Sequence, residues 1–277
     1  IQKLQRMSNL VKRAIFGSLY VGLILAALLL REHLLYMVVF GLITFLATWE
    51  WSNLVSTHRL FPLRRISDSA AAVYLFWATH EIADKGVDYS FFLIPYVGYL
   101  LYILVRSIYS ERQVMPTDLA KVFFGQIYVG AFLSIANIFY TDAETSLILL
   151  TIFVAIWAND TGAYLAGSSF GRHKLFPSVS PKKSWEGFFG GLIAAVIASG
   201  LLLGWEQCYL GILISIAATW GDLFESMIKR SVGVKDSGNI IPGHGGILDR
   251  IDSLLFSLPA VAFILWIVDT YQHLHFA

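Results

Sequence analysis

Between residues 222 and 252 the chain gathers side chains suited to work on phosphates: Asp222, Glu225, Ser226, Lys229, Arg230, Lys235 and Asp236, then Pro242, Gly243, His244, Gly245, Gly246, Asp249, Arg250 and Asp252. Asp222 and Glu225 are three apart and Asp222 and Ser226 four apart, so on a helix they share one face, with Lys229 a turn further on. Asp249 and Asp252 repeat the three-residue spacing at the start of an apolar run, where a helix dipole favours negative charge. Carboxylate oxygens are the donors Mg²⁺ takes, typically one or two from the protein, with water and substrate phosphate filling the other positions. The glycines between the two acidic pairs let the backbone approach a phosphate closely. Lys229, Arg230, Lys235 and Arg250 supply cationic partners. Acids for a metal, bases for phosphate and a Gly-rich turn are the parts required for a reaction on a nucleoside triphosphate, which needs positioning and charge neutralisation more than covalent help. An intramembrane salt-bridge network could use the same acids and bases, but it would not need the Gly-His-Gly-Gly turn.

Two earlier clusters carry weaker signals. Asp160, within Asn159-Asp160-Thr161-Gly162-Ala163-Tyr164, is an acid inside an apolar run, a position that is costly unless it serves a function or finds a partner. Ser180-Pro181 predicts a helix start, since proline is tolerated in the first turn, and would set Lys182 and Lys183 beside free backbone N–H groups where a phosphate could bind.

The elements that must hold these residues are read from composition. The chain is 57% hydrophobic and only 14% charged, with mean hydropathy +0.66, against about 45–50% apolar and about 25% charged in soluble domains. It is expected to be an all-α, polytopic integral membrane protein embedded in a lipid bilayer. A net charge of +1 argues against a nucleic-acid partner, and Cys208, the single cysteine, can form no disulfide within the chain. Because the chain starts at Ile1, the native N-terminus is expected to be trimmed or altered, and the first apolar run, lacking an A-x-A-like cleavage site, is expected to be a retained helix.

Apolar runs recur at roughly 14–30, 34–55, 67–82, 89–106, 118–140, 145–168, 184–204, 207–226 and 250–270, each near the roughly 20 residues that cross a bilayer. Placing every Lys and Arg on alternate sides of these nine spans leaves only Arg31 and Lys85 on one side and the other 18 of the 20 opposite. The positive-inside rule then sets the N-terminus in the cytoplasm and the C-terminus on the far side. Loops near 169–184 and 227–248 face the cytoplasm in that reading, so a charged substrate is expected from there. The basic, amphipathic residues 1–13 suit an anionic membrane surface or simply anchor the topology. Polar density rises after Trp157 and no internal repeat is evident, which suggests a scaffold over residues 1–117 and a catalytic half over 118–277.

The string from Ser226 to Asp252 resembles the signature of the phosphatidate cytidylyltransferase family, also called CDP-diglyceride synthases, at both ends and in the spacing between them. Asn159 to Tyr164 and Ser180-Pro181-Lys182-Lys183-Ser184-Trp185-Glu186-Gly187 resemble two further family segments in the same order; Ser184 stands where threonine is commoner, and both keep a hydroxyl. The resemblance implies transfer of CMP from CTP to phosphatidic acid at the cytoplasmic face of a bacterial inner membrane, giving CDP-diacylglycerol and pyrophosphate. On it, Asp222, Asp249 and Asp252 are expected to hold Mg²⁺, with a second cation left open, and to act with Lys229 and Arg230 in catalysis. Asp160, Lys182, Lys183, Ser226, Lys235, His244, Gly245, Gly246 and Arg250 are expected to bind substrate. Oligomeric state is open, a homodimer being one option. Two other functions use the same residues: a CTP-dependent lipid kinase, and a transporter of an organic phosphate with Asp160 and Asp222 along its route. The absence of a repeat and the charge gathered at one face count against the transporter.

Overall fold

Backbone groups in a bilayer find no water, so apolar segments close their hydrogen bonds internally as helices. The computed structural model describes residues 2–55, 62–109, 115–141, 143–240 and 245–276, with side chains described over 15–55, 64–109, 115–141, 145–240 and 245–270. Lys3, Arg6, Lys12, Arg13, Arg59, Arg112 and His244, all used in the sequence reading, lie outside the residues whose side chains are described.

The long helices are α1 (Gln2–Leu29), α2 (His33–Val55), α3 (Pro62–Lys85) and α4 (Ile94–Ile108), the last reached through a 3₁₀ turn at Val87–Leu93. Then come α5 (Pro116–Tyr140), which loosens into π-helical turns at Gln126–Ala131, and α6 (Ala143–Phe170). A short antiparallel hairpin, β1 (Lys174–Phe176) and β2 (Ser180–Ser184), leads to α7 (Trp185–Leu203), α8 (Tyr209–Ser231) and α9 (Leu248–Phe276). Among the described residues seven helical segments are long and apolar enough to cross a membrane: His33–Val55, Val87–Ile108, Pro116–Tyr140, Thr145–Phe170, Trp185–Leu203, Tyr209–Ser231 and Leu248–Thr270. Each overlaps an apolar run expected to span. Helix α3 occupies the run at 67–82 but carries Arg64, Arg65, Asp68, Glu81, Asp84 and Lys85, and of α1 the apolar part described is Ile15–Leu29.

One local expectation is corrected. Ser180-Pro181 does not start a helix: both residues lie in β2, and α7 begins at Trp185 with Ser184 as its N-cap, the Ser184 hydroxyl accepting from the Gly187 N–H at 3.2 Å. Trp185 N–H donates to the His173 carbonyl at 2.9 Å, so the chain stays paired as a hairpin up to the cap. Serine and threonine both cap a helix this way, which accounts for a hydroxyl at 184.

The chain forms two compact units. The first comprises Ile1–Thr141 and Val234–Arg250; the second comprises Asp142–Gly233 and Ile251–Ala277, so that α9 starts in one and continues in the other. In the first, Tyr36 stacks on Tyr140 with ring centroids 3.6 Å apart and donates its hydroxyl to Asn137 at 3.0 Å. The Asn137 amide donates in turn to the Phe76 carbonyl at 2.8 Å and to Thr79 at 2.9 Å, tying α2, α3 and α5 through one buried side chain. Trp51 donates its indole N–H to the Lys121 carbonyl at 3.0 Å and lies flush on Gly125, where a Cβ would collide with the ring.

The second unit is built on small residues. A Cβ on Gly162 would sit 2.6 Å from the Gly190 carbonyl and 2.8 Å from the Ala194 methyl, and one on Gly191 would meet Asn159 Oδ1 at 2.6 Å. Close approach of helix backbones through such residues is a main source of helix association in lipid. Gly190→Val is therefore expected to destabilise the α6–α7 pair by about 1–3 kcal/mol through overpacking, seen as earlier thermal unfolding in detergent. Gly98→Ala, where nothing beyond its own stretch of helix lies within 4 Å of the new methyl, is expected not to lower the unfolding midpoint.

Candidate active site

Each unit holds part of the expected constellation. In the first, Gly245 adopts φ +86, a left-handed conformation that favours glycine, just before α9. Asp249, in the first turn of α9, accepts the Gly246 N–H at 2.8 Å and the Ser237 N–H at 3.0 and 3.2 Å on its two oxygens. The loop closes as well on a residue the sequence reading did not place in the site. Glu50 of α2 is 2% exposed, and its Oε2 accepts the Leu248 N–H at 2.8 Å and the Ser237 hydroxyl at 3.2 Å. A Cβ on Gly238 or on Gly246 would collide with the Glu50 carboxylate, so these glycines make room for a side chain of the protein itself. Lys235, Asp236 and Arg250 are exposed around this loop, Gly245 is half-buried, and His244 lies outside the described residues.

In the second unit the face of α8 forms as its spacing predicts. The Ser226 hydroxyl donates to Asp222 at 3.3 Å, and the Lys229 ammonium donates to Glu225 at 2.9 Å. Glu225 is 0% and Lys229 7% exposed, so this is an interior ion pair. Asp222 is half-buried, and its other oxygen pairs with Lys183 of β2 at 2.7 Å. The hairpin thus brings to α8 a lysine that was expected at a helix terminus. Gly221 lets α9 approach: a Cβ there would stand 2.6 Å from the Asp252 carbonyl oxygen. Asp252, nearly buried, accepts its neighbour Ser253 N–H at 2.6 Å and has Asp222, Glu225 and Lys229 as charged neighbours. Arg230, Lys182 and Asp160 are exposed; beside Asp160, the buried Asn159 turns inward to accept the Ser215 hydroxyl at 2.7 Å.

Within either unit no group of three or more His, Cys, Asp or Glu side chains among the described residues converges tightly enough to hold a metal ion by itself. A hard cation that keeps water and substrate oxygens in its shell would need only one or two protein carboxylates. Glu225 and Asp252 are both buried carboxyl groups, Glu225 paired with Lys229 at 2.9 Å, and Asp222 is a third, half-buried carboxylate on the same face of α8 as Glu225.

Residues 11–268 match the model of the Cytidylyltransferase family, and the chain belongs to that family. It is similar to the phosphatidate cytidylyltransferase of Haemophilus influenzae, 32% identical over 288 residues that cover 94% of this chain and 99% of the relative. It is also similar to that of Mycobacterium bovis, 30% identical over 282 residues, covering 94% and 88%. A phosphatidate cytidylyltransferase of Staphylococcus saprophyticus is 39% identical over 171 residues, covering 59% of this chain and 65% of the relative.

Proposed function

We propose that the protein is a membrane enzyme that transfers the CMP moiety of CTP to phosphatidic acid, forming CDP-diacylglycerol and releasing pyrophosphate. The observation that carries this reading is the full-length kinship: the match to the cytidylyltransferase family runs over residues 11–268, and the relative from Haemophilus influenzae aligns along 99% of its own length. A phosphate oxygen of phosphatidate attacks the α-phosphorus of CTP, the bond from that phosphorus to the bridging oxygen breaks, and pyrophosphate leaves with the electron pair. The nucleophile is already an anion, so no general base is needed. The difficulty is the repulsion between two polyanions, and charge placed where they meet removes most of it.

Asp222 and Asp252, with Asp249 one helical turn before Asp252 on α9, would hold Mg²⁺; when bound, the ion supplies charge neutralisation and a template for the triphosphate. Lys183 keeps the Asp222 carboxylate oriented and adds a cation beside it. Lys229 holds Glu225 in the interior, and through it the α8 face that carries Asp222. Arg230, Lys235 and Arg250, all exposed, would contact phosphate oxygens, with Lys182 on the hairpin and Asp160 and Ser226 on the neighbouring helices completing the substrate contacts. Nine spans with a cytoplasmic N-terminus, the reactive loops in the cytoplasm and the chemistry carried by residues 118–277 remain the topology we favour, supported by the 18 basic residues of 20 that fall on one side.

The test is incubation of purified protein with CTP, phosphatidic acid and Mg²⁺, followed by identification of the products. CDP-diacylglycerol and pyrophosphate are expected, and chelation of the metal is expected to stop their formation. CDP together with a newly phosphorylated lipid alcohol would instead identify a CTP-dependent kinase, and counterflow of phosphate compounds across vesicles without any product would identify a transporter.

A further inference from the structure

We infer that Glu50 is a positioning residue for the nucleotide: it fixes the loop before α9 and thereby sets the affinity for CTP, an inference that rests on the function proposed above. A carboxylate inside the apolar helix α2, 2% exposed, is costly to keep there unless its bonds are specific. Its bonds all go to the loop. Oε2 takes the Leu248 N–H, one of the donors left unpaired at the N-terminus of α9, and the Ser237 hydroxyl. The loop is shaped to receive it from two sides, because Gly238 and Gly246 each leave the space that a Cβ would take from the Glu50 carboxylate.

Asp249 holds the same segment by different atoms. It takes the backbone N–H of Ser237 and of Gly246, while Glu50 takes the hydroxyl of Ser237 and the N–H of Leu248. Ser237 is therefore gripped by both carboxylates, and the direction in which Asp249 faces depends on the grip of Glu50. Lys235, Asp236 and Arg250, which flank this segment, inherit their positions from it. A residue of the amino-terminal part of the chain, remote in sequence from the signature, acts in this way on the loop expected to meet the triphosphate. It makes no contact with reacting atoms itself.

The experiment combines steady-state kinetics with amide hydrogen exchange on wild type, Glu50→Ala, Glu50→Gln and Ser237→Ala in detergent. Glu50→Ala is expected to raise the KM for CTP by roughly 10- to 100-fold, the range seen when a supporting partner of a site residue is lost, and to leave the KM for phosphatidic acid unchanged. Glu50→Gln keeps a carbonyl oxygen for both donors and is expected to restore most of the CTP affinity. In the exchange arm, Glu50→Ala frees the Leu248 amide directly; the inference requires that the Ser237 and Gly246 amides, bonded to Asp249, also exchange faster while amides of the other helices do not. A wild-type KM for CTP in Glu50→Ala, equal losses for both substrates, or faster exchange at Leu248 alone would each overturn it. If Glu50→Ala fails to fold, Ser237→Ala carries the same two measurements with smaller expected shifts. If the wild type turns over no CTP, the function proposed above falls, and the exchange arm still decides whether Glu50 positions the loop.

Discussion

Asp249→Asn is expected to leave the helices folded and to reduce CTP turnover by about 10³-fold, comparable to the loss of a preorganised group that stabilises transition-state charge. The size follows from two functions joined in one carboxylate. Both Asp249 oxygens accept backbone N–H groups, from Ser237 and from Gly246. Asparagine offers one acceptor and turns an NH₂ donor toward one of those N–H groups, so part of the loop loses its anchor and faces a repulsive contact. The substitution also removes a negative charge from the proposed ion site, which Mg²⁺ depends on. Helical content from circular dichroism should match wild type, since the span itself is apolar and closes its own backbone hydrogen bonds. Near-normal turnover in folded Asp249→Asn would remove Asp249 from the catalytic set.

Asp222→Asn is expected to cost about 10²- to 10³-fold in turnover, and a double substitution separates the two reasons it could. Asp222 pairs with Lys183 at 2.7 Å and accepts the Ser226 hydroxyl at 3.3 Å, so the loss could come from a broken ion pair that leaves Lys183 unneutralised. In that case Asp222→Asn with Lys183→Met would recover activity, because the orphaned charge is gone. If Asp222 is instead a ligand to Mg²⁺, the Mg²⁺ concentration needed for residual turnover rises in Asp222→Asn and in the double variant but not in Lys183→Met, which loses only a cation beside the substrate. The second pattern is expected. The assay is turnover against Mg²⁺ concentration for the two single variants and the double.

Periodicity and spacing make some of this architecture legible and leave the rest hidden for identifiable reasons. Long apolar runs reveal membrane helices because the bilayer leaves the backbone few alternatives, and the i, i+4 contacts of Asp222 with Ser226 and Glu225 with Lys229 follow from helical geometry alone. Depth is not written in that pattern: Glu225 is buried and Asp222 half-buried although both lie on one face, because neighbouring helices decide which end of the face is covered. Asn159 and Asp160 differ in the same way, the asparagine turned inward to Ser215 and the aspartate exposed. Ser180-Pro181 misleads because a proline suits a helix start and a strand start equally, and the pairing with Lys174–Phe176 that decides between them is not local. Glu50 is the clearest omission. Its partners Ser237 and Leu248 lie far along the chain, and the one local signal is that it is an acid inside a span, which marks a candidate without saying what it meets.

The most direct measurement follows the label from CTP carrying ³²P at the α-phosphorus in one reaction and at the γ-phosphorus in another, with phosphatidic acid as acceptor. The result expected is α-label in the lipid product and γ-label in released pyrophosphate. Lipid labelled from the γ-position, with the α-label left on CDP, would contradict nucleotidyl transfer by this protein.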